Sequence, residues 1–146
     1  MVSKVSKVRR DTKIMDNHFT IDTMKAQVDH ILNQHPTLNI HGMDLPSHER
    51  SRLHHSDLHI ATLAVERHKL RTVDSLRAIY LITQWIAEHM QPTSETLLRS
   101  YWLKHKAEKE VGYITDGQFI TAALLADYRF IVNGGISADI YCEFIR

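Results

Sequence analysis

The residues best equipped for chemistry in this chain are its histidines: there are 11 in 146 residues, and nine of them fall between His18 and His68. The densest group is His48, His54, His55 and His59, in which His55 and His59, four apart, would project from one side of a helix. Two imidazoles on neighbouring turns can chelate a metal ion, but a zinc site needs a third protein ligand and usually a fourth. The HExxH order is missing as well, because serine rather than glutamate follows His55, the first histidine of that pair. A solvated histidine face is the expectation, with His55 and His59 the metal pair if there is one, and no cofactor is expected. Clustered imidazoles also repel one another on protonation, so pH sensing is the other chemistry they offer.

Covalent catalysis lacks its residues. The single cysteine, Cys142, sits on the inward side of an alternating segment without a nearby histidine, whereas a reactive thiolate needs an accessible, electropositive setting. There is no GxSxG elbow, no P-loop and no GxGxxG fingerprint. Glu108 and Glu110 are two apart, on different sides of a helix, and do not form an acid and base couple. The chain is not expected to be an enzyme.

Binding chemistry is better represented. Net charge is only +1, but Lys4, Lys7, Arg9, Arg10 and Lys13 stand against Asp11 alone near the start, so residues 1–19 read as a basic arm. Arg99, Lys104, His105, Lys106 and Lys109 fall on one helical stretch, Arg129 beside a hairpin, Arg77 on the wet stripe of an earlier helix, and Tyr141 on the outer face of the hairpin. These are the candidate contacts to a partner or to phosphate. Glu95 with Arg99, and Lys106 with Glu110, have the spacing of helical ion pairs, which would neutralise part of that surface.

The elements that position these residues follow from periodicity. Residues 20–146 read as one helical domain, with an irregular, histidine-rich connection over 36–54. A first helix is predicted from Thr20 to Gln34, a second from Asp57 to about Lys69 with Leu58, Ala61, Leu63, Ala64 and Val65 inward, and a third, central one from Val73 to Met90. A fourth is predicted from Ser94 to Val111, capped by Thr93 or Ser94, with Leu97, Leu98, Tyr101 and Trp102 inward and Gly112 ending it. A fifth opens at Thr115 or Asp116. Asn133-Gly134 then predicts a type I′ turn between Tyr128–Val132 and an alternating strand whose inward residues are Ile136, Ala138, Ile140, Cys142 and Phe144.

The expected fold class is mainly α (α+β), about five helices with a C-terminal β-hairpin, and helix, helix, hairpin is the order of a winged helix. The helix before a winged-helix hairpin normally reads bases with Arg, Lys, Asn or Gln. Here it offers Gln118 and Thr121, no Arg or Lys, and acidic ends at Asp116 and Asp127. No apolar run is long enough for a membrane span, and no secretory signal is visible. A cytoplasmic protein without a membrane partner is expected.

The run Ser100-Tyr101-Trp102-Leu103-Lys104-His105-Lys106-Ala107-Glu108, followed by Tyr113-Ile114-Thr115-Asp116-Gly117-Gln118-Phe119-Ile120-Thr121-Ala122-Ala123-Leu124, resembles a pattern in small uncharacterised proteins of bacteriophages and plasmids. It looks like their SYxLKHxxE and YIxxGxFIxAAL motifs. Where such relatives continue with a glycine and an aromatic residue, this chain has Asp127-Tyr128. The resemblance implies a mobile-element context without implying a mechanism. The expected function is a non-enzymatic accessory protein that binds a macromolecule, foremost a host or defence protein. A DNA-binding regulator making backbone contacts through the basic arm and fourth helix is the alternative, and a histidine metal site a third reading. A homodimer paired along the hairpin edge near Ile145 is also open.

Overall fold

The computed structural model describes residues 20–46 and 56–145, so the basic arm residues Lys4, Lys7, Arg9, Arg10 and Lys13 lie outside the described residues, as do His48, His54 and His55. Helix α1 spans Ile21–Gln34, and the Thr20 side chain caps it by accepting from the Thr23 N–H at 3.0 Å. Its apolar stripe, Met24, Val28, Ile31 and Leu32, is buried. Helix α3, Val73–His89, begins under a cap from Thr72 and is the centre of the molecule, burying Leu76, Ile79, Ile82, Trp85 and Ile86. Residues 36–46 carry no helix and one isolated bridge, Asn39 with Gly42, yet Leu38, Asn39, Met43 and Leu45 are buried.

Helix α2, Ser56–His68, departs from expectation in its orientation. Leu58, Ala61, Ala64 and Val65 face out, and only Leu63 of the predicted inward set is even half-buried. Polar contacts of the opposite side hold this helix in place.

The largest correction concerns the predicted fourth helix. Its first part is strand β1, Met90–Arg99, and helix α4 runs only over Ser100–Val111. Leu97, Leu98, Tyr101 and Trp102 recur in a helix-like rhythm, but Leu97, Leu98 and Arg99 instead pair with Tyr141, Ile140 and Asp139 of strand β3, Ala138–Phe144. The Thr93 hydroxyl accepts from the Glu95 N–H at 3.3 Å, so it closes a local turn rather than capping a helix. That turn is part of an irregularity between Pro92 and Leu97; Pro92, Gln91 and Met90 then pair with Cys142, Glu143 and Phe144. Pro92 is tolerated because β1 is an edge strand.

Helix α5, Asp116–Leu125, opens with a reciprocal capping box between Thr115 and Gln118. It ends at Asp127, which takes the left-handed conformation with φ of 69° where glycine would be unstrained. Strand β2, Phe130–Val132, pairs with β3 from Phe130↔Ile140 to Val132↔Ala138. The connection is therefore residues 133–137 rather than a two-residue type I′ turn; Gly134 has positive φ and Asn133 does not. The alternation on β3 holds, with Ala138, Ile140 and Cys142 buried.

From α3 onward the order is helix, strand, helix, helix, strand, strand, with sheet order β1-β3-β2, the arrangement of a winged helix. β3 is bonded on both sides, so its edge is closed to a second copy. No helix among the described residues is long and apolar enough to cross a membrane.

Candidate functional site

Helix α4 buries one side and offers the other. Ser100, Leu103, Lys104 and Ala107 face the core, leaving Tyr101, Trp102, His105, Lys106 and Lys109 exposed along one strip. Tyr101 and Trp102, predicted inward, are 50% and 46% exposed, and Tyr113 just beyond the helix is 83% exposed. Lys106 Nζ lies 5.0 Å from the Trp102 ring centroid, and the Tyr101 ring meets His105 edge-on with centroids 4.5 Å apart. The Tyr101–His105 contact is thus between rings; the His105 Nδ1 hydrogen bond goes to Glu108, at 2.8 Å.

Lys104 is the exception among the candidate contacts, since it is 7% exposed and unavailable to a large partner. Its Nζ donates to Glu108 Oε2 at 3.1 Å and lies 5.2 Å and 5.6 Å from the rings of Tyr101 and Tyr113. One buried cation thereby braces two exposed rings. Glu108 also accepts from the Ile114 N–H at 3.3 Å. Desolvation pushes the Glu108 carboxyl up, but the bonds from Lys104, Ile114 and His105 outweigh it and hold it below the ordinary glutamate value. Neighbouring Asp116 goes the other way. Its desolvation prevails over the Ser100 and Ser137 hydroxyls and the Lys104 and His105 charges, and its pKa is raised.

The remaining candidates separate. Arg99 pairs with Asp139 at 3.4 Å and Arg129 stacks on Tyr141 at 4.7 Å, both on the sheet, and Tyr141 is half-buried between these neighbours rather than free as an anchor. Arg77 is exposed on α3, away from α4 in the chain, and joins none of the ion pairs among the described residues. The predicted pairs Glu95–Arg99 and Lys106–Glu110 do not form, the first because a strand separates residues four apart. His59 is half-buried on α2, and its proposed metal partner His55 lies outside the described residues.

The α5 position, where a winged helix reads DNA, is closed. Seven of its 10 residues are buried, from Asp116 through Ala123, beneath α1 and the turn around Asn39. Gly117 carries that contact: a Cβ there would collide with the Asn39 carbonyl oxygen and the Ile40 backbone. Gln118 is spent internally, donating to Ser75 Oγ at 2.9 Å and accepting from the Thr115 N–H at 3.0 Å.

Among the described residues, Glu88, His89 and Glu110 bring ligand atoms within 4.8 Å of one another. Glu110 Oε2 accepts from Trp85 Nε1 at 3.2 Å and lies 3.3 Å from His89 Nε2, a buried nitrogen that makes no hydrogen bond among the described residues. Sequence spacing gives no signal for it, because Glu88 and His89 meet Glu110 only through the packing of α3 on α4. Cys142 is buried, and burial, reinforced by Glu143, pushes its thiol up to about 11, the opposite of an activated nucleophile. Compared with known proteins, the chain matches no family model, no curated protein and no solved structure.

Proposed function

We propose that this protein acts without catalysis, by binding another protein through the exposed side of α4. The observation that carries the reading is the strip of Tyr101, Trp102 and Tyr113 around His105, Lys106 and Lys109, with the rings braced by Lys104 and Lys106. Exposed Trp and Tyr held in place lose little entropy on docking and dominate binding energy at protein interfaces. The surrounding cations favour a partner with an acidic surface. The resemblance of the run from Ser100 to Leu124 to phage and plasmid proteins supports a mobile-element accessory protein working in the host cytoplasm. Its target on this reading is a host or defence protein.

Capture from the natural host with wild type beside Trp102→Ala and Tyr113→Ala tests the reading. The expected result is one protein retained by wild type and lost from both variants, with unchanged melting temperatures. Equal recovery by all three, or recovery of nucleic acid without protein, overturns it.

The winged-helix element order favours a second reading, duplex binding through backbone contacts from Lys106, Lys109 and the basic arm. It expects log affinity for a DNA duplex to fall linearly with log salt. An anisotropy titration without binding at low salt removes it.

A further inference from the structure

Helix α2 is amphipathic and packs with its polar side inward. His59, Thr62, Leu63, Glu66 and Arg67 are half-buried, while Leu58, Ile60, Ala61, Ala64 and Val65 face out. Leu58, Ile60 and Val65 are 52%, 62% and 57% exposed. The inward contacts are specific. The Arg67 guanidinium donates to the carbonyls of Leu32, His35 and Leu38 at 2.8, 2.7 and 2.9 Å, closing the C-terminus of α1. The Glu66 carbonyl accepts from the Ile40 N–H at 3.1 Å, and its carboxylate holds His41 at 2.7 Å and Lys69 at 2.8 Å. Rolling the helix to hide its apolar side would abandon all of these and strand a guanidinium. The apolar side is therefore left for something outside the described fold to cover.

We infer that its occupant is a second copy of this chain, docked α2 against α2, antiparallel, about a two-fold axis. The exposed residues form their own complement when reversed. About a centre between Thr62 and Leu63, Ala61 meets Ala64, Ile60 meets Val65 and Asp57 meets His68. The two alanines at the centre let the backbones approach, and the larger side chains on either side close over them. Each end sets acidic Asp57 of one copy against His68 in the last turn of the other, with the helix dipoles opposed. A parallel pairing would place Asp57 on Asp57. A foreign partner would account for the apolar residues but not for this reversed symmetry. The surface is on a different element from the α4 strip, so the two proposals stand or fall separately.

Sedimentation velocity of the full chain over a concentration series tests the inference. A reversible dimer is expected, with Ile60→Lys and Val65→Glu each weakening it by roughly tenfold or more while circular dichroism and melting stay as in wild type. Asp57→Lys is expected to weaken the dimer and Asp57→Lys with His68→Glu to restore it, a rescue that fold damage would not produce. Ala61→Cys mixed with Ala64→Cys is expected to cross-link between the two variants in preference to either alone. A monomer at every concentration overturns the inference, as does a dimer indifferent to Ile60→Lys and Val65→Glu, or cross-linking that favours like with like.

Discussion

Two carboxyls under the α4 strip are displaced in opposite directions, and each direction has a consequence for stability. Glu108 is held below its ordinary value by Lys104, Ile114 and His105, so its contribution is complete above the unfolded glutamate pKa and is lost as pH falls through the lowered folded value. Glu108→Gln is expected to cost about 2–4 kcal/mol at neutral pH, because Lys104 loses its charge partner in a largely buried setting. Denaturant unfolding should show the gap between wild type and variant shrinking on acidification below the glutamate range. Asp116 is raised by burial, so the native state is favoured while it is protonated and weakened as pH climbs through the raised value. Asp116→Asn removes that titration and leaves an oxygen to accept from Ser137, which now bonds Asp116 Oδ2 at 2.7 Å. Relative to wild type, the variant is expected to gain stability as pH rises from below the normal aspartate value, and a constant difference across that range would contradict the assignment.

At the scale of elements, two positions measure how tightly the chain is turned. Asp127 ends α5 with φ of 69°, and Asp127→Gly is expected to stabilise by up to about 1 kcal/mol by removing left-handed strain. Gly117→Ala is expected to cost about 2–3 kcal/mol, since the Asn39 and Ile40 backbone must shift, whereas Gly135→Ala meets nothing and should be near neutral. Thermal melts of the three variants decide both. Helices α1 and α5 were legible from the sequence because apolar residues and a capping threonine agree at each, Thr20 and Thr115 accepting from the third residue on, and α3 was legible from its apolar run alone, its Thr72 cap emerging only in the structure. The Ser94–Arg99 stretch was not, because its leucines fit either period and only pairing with β3 decides between them. The orientation of α2 was hidden for a different reason. Hydrophobic patterning assumes that the apolar side packs, and here Arg67 and Glu66 win that side through partners more than twenty residues away in the chain. The α4 strip was half-legible: its cations were visible as spacing, while the exposure of Tyr101 and Trp102 and the burial of Lys104 follow from where β1 ends.

At the scale of the whole molecule, binding surface and core are separable. Trp102→Ala is expected to leave unfolding within about 0.5 kcal/mol of wild type, because its ring is half exposed and its core-side contact is an edge meeting with Phe144 at 5.8 Å. Partner capture should fall sharply in the same protein, and parallel loss of stability would mean that the face is structural. The cover over α5 works in the opposite sense, joining parts that the element order would allow to be independent. A chain beginning at Val73 carries every helix and strand of the winged-helix order, yet it lacks Met24, Val28, Ile31, Leu32 and Leu38, which belong to the same core as Phe119 and Ile120. Such a fragment is missing one wall of its own interior. Residues 20–46 therefore complete the interior of the C-terminal part, and the two are expected to melt together, with coincident transitions by fluorescence and circular dichroism, rather than as a module with a detachable lid.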